Sequence, residues 1–84
     1  RGVSMEVKQA KEFGLNSSGL FFCRAAVYQK LGEYEKAIAD YSQSLLIDPS
    51  NAKAYFNRGA AYLKVYEYEK AKQDMLRAVE LSKK

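Results

Sequence analysis

Apolar side chains recur along this chain at helical rather than strand spacing. Val3, Val7, Ala10 and Phe13 are separated by four, three and three residues, which keeps them on one stripe of a helix. Tyr55, Gly59 and Tyr62 show the same spacing within 52–65, and Ala71, Met75, Ala78 and Val79 carry it through 68–82. The pattern predicts helices over these stretches, with Ser17 and Asn51 as N-caps. Between them, Asp48-Pro49-Ser50-Asn51 stops a helix, because Pro49 lacks an N–H and disfavours helical geometry at Asp48. Gly14 and Gly32 suit left-handed caps. Tyr66 stands where a second such glycine would fall. Its turn either takes another conformation or carries strain of about 1 kcal/mol.

The helical pattern is also periodic on a longer scale. At an offset of 34, residues 22–30 lie over 56–64, and Glu33-Tyr34-Glu35-Lys36-Ala37 recurs letter for letter as Glu67-Tyr68-Glu69-Lys70-Ala71. Eleven of 33 aligned positions are identical, among them Phe22, Arg24, Ala26, Tyr28, Lys30 and Asp40. Carried backwards, the offset places Val3, Val7, Ala10 and Phe13 over Ala37, Tyr41, Ser44 and Ile47. The chain therefore reads as a single array over 1–84. Residues 1–15 form the second helix of a partial unit, and 18–51 and 52–84 form two complete units.

A unit of two helices with this period resembles the tetratricopeptide repeat. That pattern places a large aromatic early in the first helix, where Phe21 and Tyr55 stand, then a small residue at Ala25 and Gly59, then tyrosine at Tyr28 and Tyr62. Its second helix matches at Ala37 and Ala71, at Tyr41 and Met75, and at Ser44 and Ala78, with the closing proline at Pro49. Four positions depart from it: Arg24 and Arg58 replace a frequent leucine, Tyr66 a glycine and Lys83 a proline. The resemblance implies an all-α fold, an α-α superhelix of about two and a half helix-turn-helix repeats.

It also implies a non-catalytic interaction scaffold whose first helices line a concave groove for a peptide segment of a partner protein. The groove residues would be Phe22, Cys23, Ala26 and Lys30 from one unit and Lys53, Phe56, Asn57, Ala60 and Lys64 from the next. Two exposed aromatics would then take apolar side chains, the Asn57 carboxamide would bond to peptide backbone, and the lysines would favour an acidic peptide. Co-chaperone members of the family hold an acidic C-terminal peptide with a clamp of lysines, asparagines and an arginine. Asn57-Arg58-Gly59-Ala60-Ala61-Tyr62 resembles part of it, but Phe22 and Ala26 stand where that register needs lysine and asparagine. In the other register Lys53 fits, while Asn57 and Cys23 stand where arginine and asparagine are required.

Composition narrows the chemistry. Without histidine the commonest general base and metal ligand is missing, and Cys23 has no imidazole to activate it, so neither catalysis nor a cofactor is expected. A lone cysteine forms no internal disulfide, which points to a reducing, cytoplasmic setting. Asn16-Ser17-Ser18 spells a glycosylation sequon but reads more simply as a turn with a cap. Apolar runs such as Leu45-Leu46-Ile47 are far shorter than the roughly 20 residues of a membrane span. No basic-then-apolar leader opens the chain, and the missing initiator Met suggests excision from a longer one.

The net charge of +4 is concentrated in 52–84, which hold eight basic and four acidic residues. Lysines interleave there with Tyr55, Tyr62, Tyr66 and Tyr68, the composition of a single-stranded RNA platform and hence a reading of a different class. Against it, Tyr55 and Tyr62 are expected to be core positions. Glu33 with Lys36, and Lys36 with Asp40, read as helix-surface ion pairs. Repeat stacks usually need about three units for stability. An array with uncovered terminal helices is thus expected to continue at both ends or to associate with itself.

Overall fold

In the computed structural model, residues 17–83 are described, and the partial unit expected over 1–15, with its cap at Gly14, lies outside them. Four helices follow one another: α1 (Ser18–Lys30), α2 (Tyr34–Ile47), α3 (Ala52–Lys64) and α4 (Tyr68–Ser82). The described residues contain no strand, as the spacing predicts. Ser17 caps α1, its hydroxyl accepting from the Leu20 N–H at 3.3 Å. Asn51 caps α3 in the same way through the Ala54 N–H at 3.2 Å. After α2, Asp48 adopts non-helical angles (φ −132°, ψ 89°) ahead of Pro49. The Ser50 hydroxyl and N–H both donate to the Asp48 carboxylate, at 2.7 and 3.2 Å. The hydroxyl bond chiefly holds that carboxyl below its usual pKa.

Helix α1 packs on α2, α3 on α4, and α3 also seats against α2 with a lighter contact to α1. Small residues allow the close approach. Ala25, Ala37 and Ala54 are fully buried and join Tyr41 and Leu45 in one core cluster, with Phe22, Tyr28 and Tyr55 packed against it. In the second pair Ala61, Ala71 and Ala78 are buried. A Cβ built on Gly59 would lie 3.0 Å from the Met75 side chain and 3.2 Å from the Ala71 carbonyl, so α3 and α4 meet where no side chain intervenes. The tyrosines expected at the buried edge, Tyr55 and Tyr62, are half-buried.

Both hairpin turns use the same backbone. Gly32 has φ +80° and Tyr66 has φ +66°, and the N–H after each bonds back to the carbonyl of Tyr28 or Tyr62 at 2.9 Å. Of the two outcomes open to Tyr66, the chain takes the strained one. Tyr66 is 76% exposed, and its ring gains only an edge contact with Tyr68 at 6.3 Å. A left-handed tyrosine costs about 1–2 kcal/mol, against about 0.4–1 kcal/mol for the extra freedom of glycine in the unfolded chain. Tyr66→Gly is therefore expected to stabilise the protein by about 0.5–1 kcal/mol. Urea unfolding checks this through a higher midpoint at unchanged slope, and a lower midpoint would refute the strain account.

Candidate functional site

The expected site residues divide by exposure. On α1, Cys23 and Lys30 are exposed, while Phe22 and Ala26 are half-buried. On α3, Lys53, Phe56 and Lys64 are exposed, while Asn57 and Ala60 are half-buried. Phe22 is the main correction. Its ring packs edge-on against Tyr41, 5.7 Å between centroids, so it belongs partly to the core and is not a free aromatic. Phe56, 54% exposed, has no tyrosine to meet, because Met75 stands where Tyr41 would be.

Polar links fix the relation between the helices that carry these residues. Tyr41 donates its phenolic O–H to Gln29 Oε1 at 2.8 Å, and Gln29 Nε2 donates to the Asn57 carbonyl at 3.3 Å. One relay thus ties α2 to α1 and α1 to α3. The amide of Gln29 satisfies both neighbours at once. Among the described residues, Lys30, Lys53 and Lys64 make no ion pair.

The arginines behave differently. Arg58 grips Asp74 with two hydrogen bonds, Nε to Oδ2 at 2.7 Å and Nη2 to Oδ1 at 2.8 Å. Its remaining arm, Nη1, donates to Ser42 Oγ on α2 at 3.0 Å. The Ser42 hydroxyl in turn donates to the Ile38 carbonyl at 2.8 Å. The guanidinium lies 5.6 Å from the centres of both the Tyr55 and Tyr62 rings. These tyrosines therefore flank a cation rather than wait for a base, which removes most of the lysine–tyrosine platform. Arg24 repeats the grip on Asp40, at 2.6 and 3.0 Å, beside Phe21 and Tyr28. Hydrogen bonding to the aspartate raises each guanidinium further above its ordinary pKa.

These pairs correct the expected surface ion pairs. Asp40 is buried and held by Arg24, so it is no partner for Lys36, whose ammonium sits 5.7 Å from the Tyr28 ring centre. In the second copy, Lys70 does lie 3.9 Å from Glu67. The arginine–aspartate pairs carry a sequence signal, because both partners recur at the offset of 34 and stand 16 positions apart in each copy. What conceals them is that the partners meet across a helix hairpin, outside the three- and four-residue spacing of pairs on one helix.

Burial separates the two copies. The Arg58 side chain is 19% exposed and that of Arg24 58%, while both aspartates are nearly buried. Removing one partner of a buried pair strands the other charge, whereas an exposed arginine returns to water. Asp74→Ala should therefore cost about 2–3 kcal/mol and Asp40→Ala about 1 kcal/mol or less. Urea midpoints of the two variants decide it, and equal losses would mean that the deeper burial of Arg58 does not matter.

Tyr41 gives a pH signature. It is fully buried, and burial raises its phenol above the ordinary value of about 10. The fold holds the neutral form more tightly than the unfolded chain does. This contribution is intact below pH about 10 and disappears as pH rises through the higher folded value. Tyr41→Phe, lacking the bond to Gln29, should be about 1 kcal/mol less stable at pH 7. The gap to the parent chain should narrow above pH 10, and a constant gap in denaturation curves from pH 7 to 11 would refute this.

Comparison with known proteins agrees with this geometry. No curated protein matches the chain. A family described as TPR repeat matches residues 25–65, and one described as tetratricopeptide repeat matches 52–84. Repeats of this kind generally mediate protein–protein interaction. Paired helices with small residues at their crossings, recurring at one offset and matched over 25–84, establish that the chain belongs to the tetratricopeptide repeat family.

Proposed function

We propose that this protein is a non-catalytic scaffold that binds a peptide segment of a partner protein along the neighbouring faces of α1 and α3, as two units of one array over 18–51 and 52–84. The observation that carries this reading is the bond from Gln29 to the Asn57 carbonyl, which holds these helices side by side. Their exposed residues include Lys30, Lys53, Phe56 and Lys64, with Cys23 beside them. Phe56 offers apolar area, Ala26 and Ala60 leave room for a backbone to approach, and the half-buried Asn57 carboxamide supports peptide hydrogen bonding. Free ammonium groups favour an acidic ligand and hasten its encounter.

The test uses the intact chain as bait in cell extract beside Lys30→Glu/Lys64→Glu, with the fold of both checked by circular dichroism. Both lysines are exposed and outside the ion pairs, so the variant should keep its helicity. The same specific bands should be lost or weakened about tenfold or more, as expected for reversed charge across an electrostatic contact. Unchanged bands would move recognition away from α1 and α3.

A further inference from the structure

The α1–α3 face is rich in donors and poor in acceptors. On α3, Ala54, Gly59 and Ala61 are buried, and Arg58 is committed to Asp74 and Ser42. These positions turn one side of the helix toward its neighbours. Lys53, Phe56, Asn57, Ala60 and Lys64 fall together on the opposite side, in a stripe roughly 100° wide. Cys23, Ala26 and Lys30 hold matching positions on α1.

Apart from the weak thiol of Cys23, the half-buried Asn57 carboxamide is the one side chain among them that can accept a hydrogen bond. The lysines only donate, and the Asn57 carbonyl is already taken by Gln29. An extended segment laid on this stripe would bury several N–H groups against a single acceptor, and each one left unpaired costs about 1–3 kcal/mol. A helix pairs its own backbone and makes no such demand.

Charge adds a second constraint. Lys53 and Lys64 stand eleven residues apart, about 16 Å along α3. Phe56, 54% exposed, and Ala60 lie between them. Both lysines, like Lys30, are exposed and outside ion pairs among the described residues. A strand covers that span in about five residues and turns its two end side chains to opposite faces. Eleven residues of helix return to within about 20° of the same line.

We propose that the segment bound on the α1–α3 face is an amphipathic α-helix lying along α3. Its acidic residues, eleven apart, stand opposite Lys53 and Lys64, and the apolar stripe between them meets Phe56, Ala26 and Ala60. This rests on the peptide-binding reading of that face and names the conformation and charge pattern of its ligand. Ala26 and Ala60 are small enough to let a helix settle on α1 and α3 at the roughly 8–10 Å axis spacing of packed helices.

Two peptides test it. One is a hydrocarbon-stapled helix with glutamates eleven residues apart and leucines three, four and seven residues after the first. The other keeps these side chains but has no staple and carries prolines at two outward-facing positions, so that it cannot form a helix. Fluorescence anisotropy with the 84-residue chain should show the stapled peptide bound about tenfold more tightly or better. Lys53→Glu/Lys64→Glu in the protein should lose that binding with unchanged circular dichroism. A stapled peptide with lysines in place of the glutamates should restore it. Equal or tighter binding of the proline peptide would overturn the helix while keeping α1–α3 as the peptide site. Binding of neither peptide, or binding indifferent to the charge reversal, would also overturn it. Whether the face binds any segment is then decided separately by the capture experiment with Lys30→Glu/Lys64→Glu.

Discussion

A pair of helices encloses almost no interior, so each hairpin here depends on a neighbour to finish its burial. The seating of α3 on α1–α2 is the contact from which the remaining structure follows. It buries Ala54 against Tyr41 and Leu45, and it brings Arg58 within reach of both Asp74 and Ser42. Without α3, Tyr41 would lose its cover and Gln29 one of its two partners. The apolar contact provides the driving force, and the directional bonds set the register, since a slip would take the Arg58 guanidinium from its Ser42 acceptor.

Much of this was legible in the sequence because helical repeats declare themselves twice. Spacing of three and four residues marks the helices, and the offset of 34 marks the units, so the cap roles of Ser17 and Asn51 and the stop at Pro49 are readable from residue types alone. The family followed from the same residues. Less visible was whatever depends on contacts between helices. Phe22 and Phe56 occupy one repeat position and look equivalent, yet Tyr41 draws the first ring inward while Met75 leaves the second exposed. Arg24 and Arg58 look equally alike, but among the described residues Arg58 alone meets a serine of the preceding helix. A repeat position specifies a backbone location, and the neighbouring unit decides what the side chain does there.

The two units have diverged mostly at such neighbour-dependent places. Gly32 and Tyr66 share a backbone conformation that only the first tolerates without strain, and Ala25 is matched by Gly59 where Met75 presses on the first helix of the second pair. Ser44 is fully buried with its hydroxyl unpaired among the described residues, at a position where the second unit has Ala78. Each difference leaves the helix path unchanged while altering what packs against it. Small residues at the crossings preserve the fold, and the flanking positions are free to vary.

That freedom bears on recognition through the kind of cation left for a ligand. Arg24 and Arg58, the side chains best suited to bidentate grip, are both committed to buried aspartates, and Arg77 lies near Glu80. The charge on α1 and α3 that remains outside ion pairs is therefore lysine. An ammonium on a flexible stem attracts acidic groups over a range of positions and imposes little geometry on them. Long-range attraction on such a surface is strong in sign and weak in detail. On the proposed peptide face, discrimination between ligands would then fall to the apolar positions, Phe56 above all, where fit falls off within about an ångström of misplacement. On the proposed α1–α3 face, such an arrangement would collect acidic segments broadly and retain those that bring a complementary hydrophobic side chain.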